Sequence, residues 1–509
     1  MMPALAPHPA PAAAPRRDTA PAAYDQRRTP MVDAIRAYTA AGTLAFHVPG
    51  HKLGNGGSAG LRDLVGEQTL ANDVWLETGA YAAARRDAQD LAAAAWGAAR
   101  SYLLGNGSTT GNQAFLLNLL TDGAEVVVSR DLHASTLAAL VMTGARPVYV
   151  VPRRHPEVDL GTGVHPDDVV AALRSHPAAR LVSVVSPAYT GICSDVPAIV
   201  AAAHAHGALA YVDEAWGPHL AFHRDLPVHA MGAGADGAVT SVHKLLPALA
   251  SGSLLMAADT IDGDRLDAAV RMTQTTSPFM PLLASIDLAR RDLAVDGRRL
   301  VERAVELAGT ARRGIARIAG LRVLDGEVLG VAPDRLDPLK LVVDVSGLGM
   351  TGLEAERVLR GRLRIAPEGA DLTSLFLVIA LGDTPQTVAG LLHALRTLAA
   401  TAGGARLPIV HPRSTGAVLD PGPAPLTPRQ AWQARTAAVP LACAVGEVCA
   451  ELVVPYPPGI PVLAPGELVT ADKVDYLADA VGRGMHVHGT ADEFLTTVRV
   501  VVDLPAPAH

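Results

Sequence analysis

The chain has 509 residues, of which 49% are apolar and 18% charged, with a net charge of −7. That length supports two or three domains with large cores. The absence of any basic block interleaved with aromatics speaks against nucleic acid as a partner, and every long apolar run meets a polar break before it could span a bilayer. Three cysteines, Cys193, Cys443 and Cys449, lack CxxC spacing. Their odd number argues against a disulfide framework or a zinc site and fits a reducing cytoplasm. The 18 histidines form no close metal-ligand pattern; His204 and His206, two apart on a helix, read as solvent or packing residues.

Residues 1–27 are rich in Ala and Pro and lack the continuous apolar core of a secretion signal, so a disordered tail is expected there. Within an N-terminal segment, 28–100, the pattern predicts a helix over Met31–Ala41 and an irregular loop Phe46-His47-Val48-Pro49-Gly50-His51-Lys52. An Ala-rich helix follows over Arg85–Ala99. Across 101–320 strands and helices alternate. The strands expected are Glu125–Ser129, Pro147–Val151, Leu181–Ser186, Leu209–Asp213, Ala238–Val242 and Ser253–Ala257, most of them continuous apolar runs of the kind buried on both faces. This rhythm predicts an α/β fold with a mostly parallel central sheet in a large domain. A long amphipathic helix over Leu282–Ile318 leads to a smaller α+β domain, 321–401, with Leu339–Val345, a helix Leu353–Arg360, the strand Leu375–Leu381 and a closing helix Thr384–Ala400. Residues 402–428 read as a Gly/Pro-rich linker, and 429–509 as a C-terminal segment carrying Tyr456-Pro457-Pro458-Gly459-Ile460-Pro461.

Only four of the 43 basic residues are lysine: Lys52, Lys244, Lys340 and Lys473. An amine can lose its proton and attack a carbonyl, which arginine in practice cannot. Lys244 stands in Ser241-Val242-His243-Lys244 just after a strand, 31 residues beyond Asp213, which closes an earlier one. In a parallel sheet both fall at the carboxyl ends of strands, where ligands sit. The pairing suggests a Schiff base to pyridoxal 5'-phosphate (PLP), with Asp213 at the pyridine nitrogen; spacing alone also allows a surface lysine. Gly105-Asn106-Gly107-Ser108-Thr109-Thr110-Gly111 precedes an apolar helix, 112–120, and reads either as an anion-binding helix start or as a Ser/Thr cap. His133 can stack on a cofactor ring or be structural. Ala215 is small enough to lie against that ring, and Trp216 and His219 could face a substrate, with Trp216 as a plain core residue the alternative. Ser241 and His243 can donate to a phosphate.

The segments Phe46–Lys52, Asp213-Glu214-Ala215-Trp216, Ser241–Leu245 and Tyr456–Pro461 together resemble the Orn/Lys/Arg decarboxylase family, across roughly residues 30–500 and in its shorter bacterial form. The resemblance implies the aspartate-aminotransferase fold (PLP-dependent fold type I) and decarboxylation of arginine, lysine or ornithine, a reaction of polyamine metabolism. It implies Lys244 as the Schiff-base lysine, Asp213 as partner of the pyridine nitrogen and His133 stacked on the ring, with Ser108, Thr109, Ser241 and His243 on the phosphate. It places Glu451 and Tyr456 by the substrate, and His51 in a loop reaching a partner's site within a homodimer or higher homo-oligomer. One departure stands out. Where the family commonly carries a Gly-Leu-Asp-Asp-like segment, this chain has Thr78-Gly79-Ala80-Tyr81. Glu77, Asp87 and Glu451 are candidates to replace the missing acidic pair. The same lysine and aspartate would also serve an aminotransferase, another lyase or an oxidase acting on a modified amino acid, or a non-catalytic PLP-binding protein.

Overall fold

A computed structural model describes residues 24–503 apart from 57, 75–77, 157, 159, 403–418 and 457–458. The stretch expected to be a tail thus lies largely outside the described residues, as do Glu77, Pro457, Pro458 and most of the expected linker. Gln26 and Arg28, by contrast, are clasped through their carbonyls by the buried Arg290 guanidinium.

Seven strands build the main sheet: β1 (Arg100–Leu104), β2 (Glu125–Ser129), β3 (Arg146–Val150), β4 (Leu181–Val185), β5 (Leu209–Asp213), β6 (Gly237–Thr240) and β7 (Ser253–Ala257), in the order β1-β7-β6-β5-β4-β2-β3. The run from β6 through β5, β4 and β2 to β3 is parallel, and β7 lies antiparallel to both its neighbours. Helices cover both faces, which explains the unbroken apolar strands. Val126, Val127, Val128 and Val239 are all buried, each burial contributing about 1.5–3 kcal/mol. β1 was not expected from sequence: the Ala-rich helix, observed over Thr78–Trp96, runs almost into it and leaves only Tyr102-Leu103-Leu104 as an apolar signal.

The helix Gly107–Leu119 lies flush on β6. A side chain at Gly111 would collide with Val239, and one at Gly237 with the Phe115 ring. These two glycines set the close approach that brings the start of this helix to the carboxyl ends of β5 and β6. The 36-residue helix Met280–Ile315 links to a four-stranded antiparallel sheet ordered β10-β11-β9-β8: β8 (Arg322–Val323), β9 (Lys340–Asp344), β10 (Gly369–Ala370) and β11 (Ser374–Val378). The C-terminal segment adds two strand pairs, β12 (Thr436–Pro440) with β15 (Thr497–Val501) and β13 (Val454–Tyr456) with β14 (His486–His488).

One buried ion cluster fastens that segment to the large domain. Arg130, just past β2, donates to both Glu467 carboxylate oxygens and to the carbonyls of Pro461 and Val462; Lys473 Nζ lies 3.3 Å from Glu467 Oε2. All three side chains are buried. Removing one member of such a cluster leaves uncompensated charge in a medium that solvates it poorly. Glu467→Gln should therefore lower unfolding stability by about 3–5 kcal/mol, read as a shift in the urea midpoint at unchanged slope. Among the described residues no helix is long and apolar enough to cross a membrane, and no group of three or more His, Cys, Asp or Glu is placed to hold a metal ion.

Candidate active site

At the carboxyl edge of the parallel strands opens a cavity of about 540 Å³. Ser108, Thr109, His133, Asp213, Ala215, Trp216, Ser241, His243 and Lys244 all line it, so nine residues chosen from sequence converge on one space. Lys244 belongs to a single helical turn, Val242–Leu245, that follows β6 directly. Its Nζ lies 4.0 Å from the centroid of the Trp216 ring, a cation–π contact. Burial pushes the amine down to about 8, against the opposing pull of Asp213 and Glu368 and with added repulsion from Lys340.

Asp213 ends β5 and is fixed by two donors. Asn112 Nδ2 reaches its Oδ2 at 2.7 Å, and the Ala215 amide reaches its Oδ1 at 3.1 Å. Asn112 is in turn gripped: its Oδ1 accepts from the Tyr211 hydroxyl at 2.8 Å, and its Nδ2 also donates to Ser135 Oγ at 2.9 Å. Ser135 passes the chain on to His133 Nδ1, 2.7 Å away, which also accepts from the Ser135 amide. With Nδ1 accepting, the ring proton sits on Nε2, and burial lowers the His133 pKa, so the imidazole is neutral at neutral pH. Ser108 Oγ and Ser241 Oγ lie 2.7 Å apart at the start of the helix Gly107–Leu119. Two hydroxyls at the positive end of that helix form a donor set suited to an anion.

Four expected substrate residues fall elsewhere or lie beyond description. His219 does not face the cavity. The Gly217-Pro218 turn carries it into the junction with the smaller domain, where it is fully buried with Nε2 3.1 Å from Asp337 Oδ1. Glu451 is not among the residues lining this cavity: its oxygens accept from the Ala491 and Arg499 amides, both at 2.8 Å, and it borders a separate hollow beside the helix Ala134–Thr143. His51 lies outside its own chain's cavity and pairs with Asp73 at 3.1 Å. Tyr456 ends β13, and its side chain is outside the described residues; its neighbours Gly459 and Ile460 do line the cavity. Asp87, the remaining substitute for the missing acidic pair, forms an exposed ion pair with Arg28.

Sequence reasoning missed Asn112, Ser135 and Tyr211, the residues that hold Asp213 and His133. Asn112 was absorbed into an apolar helix, although a lone amide on such a helix is itself a signal of a buried hydrogen-bonding task. It also missed Glu368 and Thr190 on the cavity wall, and Lys340, whose Nζ lies 4.9 Å from the Trp216 ring and 3.2 Å from Asp337 Oδ2.

Comparison with known proteins places this geometry. The family model described as Orn/Lys/Arg decarboxylase, major domain, matches residues 29–387, and that for the C-terminal domain matches 420–493. The chain is 33% identical to the arginine decarboxylase of Bacillus subtilis over 94% of its own length and 99% of that protein's. It is 35% identical to the arginine decarboxylase of Halalkalibacterium halodurans over 94% and 98% respectively. The solved constitutive lysine decarboxylase of Escherichia coli superposes with a TM-score of 0.78 at 22% identity, covering 94% of this chain and 82% of that one, and so shares its fold. The fold is the fold type I expected from the sequence, and with both family domains matched along its length the chain belongs to the Orn/Lys/Arg decarboxylase family.

Proposed function

We propose that the protein is a PLP-dependent decarboxylase of arginine. The observation that carries the reading is the meeting, in one cavity, of a buried amine titrating near pH 8, a fixed buried carboxylate and a hydroxyl-rich helix start. These match the three parts of the cofactor: aldehyde, pyridine nitrogen and phosphate. Ser108, Thr109, Ser241 and His243 would hold the phosphate, Asp213 would keep the pyridine nitrogen protonated, and His133 and Ala215 would bound the ring. When bound, PLP supplies an electron-poor ring that takes up the electron pair left as CO₂ departs. Lys244 Nζ, which would hold the cofactor aldehyde, can hold and return a proton at neutral pH, because its pKa lies close to that range. Neutral His133 keeps its Nε2–H available to the ring or to the substrate. The two relatives named arginine decarboxylase support the choice of substrate.

We also read the working form as an assembly of at least two copies. Leu44, Phe46, Val48 and Leu64 in the N-terminal segment are 61–93% exposed. So much bare apolar surface in one stretch suits a contact with a second copy.

Incubating the purified protein with arginine, lysine and ornithine, and scoring CO₂, ammonia and hydrogen peroxide, tests the reaction. Arginine should release CO₂ at a turnover of about 1–10³ per second. Ammonia or peroxide without CO₂ would point to the transferase or oxidase chemistry of the same fold. A pH test bears on Lys244. Only the neutral amine attacks an aldehyde, and its pKa is lowered from 10.5 to about 8. Uptake of PLP by the cofactor-stripped protein should thus quicken about tenfold per pH unit up to pH 8 and level off above it, whereas an unperturbed lysine would keep quickening beyond pH 10.

A further inference from the structure

Two of the four lysines of the chain meet at one ring. Lys244 Nζ lies 4.0 Å and Lys340 Nζ 4.9 Å from the centroid of the Trp216 ring. Together these distances bound the separation of the two nitrogens at about 9 Å, close enough for like charges to feel each other. The amines come from different parts of the molecule. Lys244 follows β6 of the large sheet, whereas Lys340 opens β9 of the smaller one.

Lys340 is buried, and a buried amine keeps its charge only where a partner holds it. Asp337 is that partner, with Oδ2 3.2 Å from Lys340 Nζ. The same carboxylate accepts from the Leu339 amide at 2.9 Å and lies 3.1 Å from His219 Nε2. Against the cost of burial, His219 and Lys340 hold the Asp337 carboxyl well below the usual carboxylate range, so it stays an anion at neutral pH. This anchor is also the junction of the two domains. The Asp337 amide donates to the Gly191 carbonyl at 2.8 Å, and a side chain at Gly191 would collide with the Lys340 stem. The Leu381 amide donates at 3.2 Å to the carbonyl of Leu245, next to Lys244. A buried ion pair adds little net stability over apolar residues of the same size, so the fold alone gives no reason for a cation at this place.

We propose that Lys340 is a positioning residue for the reaction, a fixed cation carried in by the smaller domain that acts on Lys244 across the Trp216 ring and keeps that amine ready to attack an aldehyde. The inference rests on the reading of Lys244 as the reactive amine. The electrostatics run in the required direction. Burial is the main force lowering the Lys244 pKa, Asp213 and Glu368 oppose it, and Lys340 adds to it. His133 feels the same amine from the start of the helix Ala134–Thr143, and His243 stands beside it in its own turn. Among these neighbours Lys340 is the one pinned in place as a cation.

The test reads Lys244 directly and needs no cofactor. The full-length protein without PLP is labelled with trace acetic anhydride over a range of pH, and acetylation at Lys244 is followed by peptide mass spectrometry. Only the neutral amine reacts. In the parent the rate should climb with pH and level off near pH 8. In Lys340→Met the rate at neutral pH should fall about threefold, while the rate at high pH stays within about twofold, because loss of a neighbouring cation raises the pKa without closing the cavity. Lys340→Arg keeps the charge and should recover most of the loss. A lysine with a merely structural role would lower both rates together or leave both unchanged. Either result overturns the proposal, as does a fall at neutral pH that Lys340→Arg does not relieve. Should the methionine variant fail to melt cooperatively, Lys340→Met combined with Asp337→Asn strands no buried charge and carries the same comparison. If the profile shifts as stated but the protein takes up no PLP, the cofactor reading fails and this one stands. If arginine is decarboxylated while the profile of Lys340→Met matches the parent, this one fails alone.

Discussion

Lys244→Ala protein should release CO₂ from arginine at least about 10⁴-fold more slowly than the parent, and should lose its visible cofactor absorbance on dialysis. The magnitude follows from what the amine does. Covalent attachment would hold the aldehyde in place and convert an encounter between free molecules into a reaction within one, an advantage that reaches about 10⁵ M or more in effective concentration. Among the described residues the other amine near the Trp216 ring is not free to step in. Lys340 also approaches the Trp216 ring, at 4.9 Å, but it is tied to Asp337, and its backbone is fixed in β9 with the carbonyl bonded to Arg312. The fold should not suffer. Lys244 Nζ makes no hydrogen bond among the described residues, and burial already disfavours its charged form, so the alanine variant should unfold within about 1 kcal/mol of the parent. A protein that kept full turnover after this change, with its melting curve intact, would remove the basis of the functional reading.

The contrast between Lys244 and Glu368 shows what the sequence could and could not reveal. Lys244 and Asp213 were legible because each follows an apolar run long enough to be a buried strand, and the end of a parallel strand is a place as well as a position. The large sheet was legible for the same reason, except for β1, whose signal is three residues wide and adjoins a helix. Glu368 follows no such run. It comes to the cavity through pairing with β11 and through the Phe376–Tyr189 contact, which joins residues nearly two hundred positions apart. His219 failed in the opposite sense. Three residues beyond Trp216 it looked like part of the same loop, but the turn at Gly217-Pro218 sends it to Asp337, a partner visible only once the smaller domain is docked. Glu451 likewise looked like part of the site, but it borders a separate hollow and accepts from the amides of Ala491 and Arg499. The positioning network from Tyr211 through Asn112 and Ser135 to His133 was hidden because its members lie on three different elements, each of which reads as ordinary core.

Asp213→Asn should lower turnover with arginine by about 10³-fold. Its effect on the fold should be smaller than that of an apolar replacement. The change keeps the shape of the side chain but removes the charge that would hold a proton on the pyridine nitrogen, and with it the ring's capacity to take up an electron pair. The surroundings of Asp213 sharpen the expectation. Both of its oxygens already accept, from Asn112 Nδ2 and from the Ala215 amide. An asparagine has one accepting oxygen, so whichever way it turns its NH₂ group meets a donor. The loss of one charge-assisted bond adds about 1.5–3 kcal/mol of destabilisation, which thermal unfolding of the cofactor-free protein will register. Two readouts then separate electronics from architecture. If Asp213 acts through its charge, the variant should still bind PLP covalently at Lys244, with its absorbance retained, while turnover collapses. If it acts only as a structural anchor for the end of β5, cofactor retention and turnover should fall together. A variant that retained both would show that the carboxylate at the end of β5 is not the partner of the pyridine nitrogen.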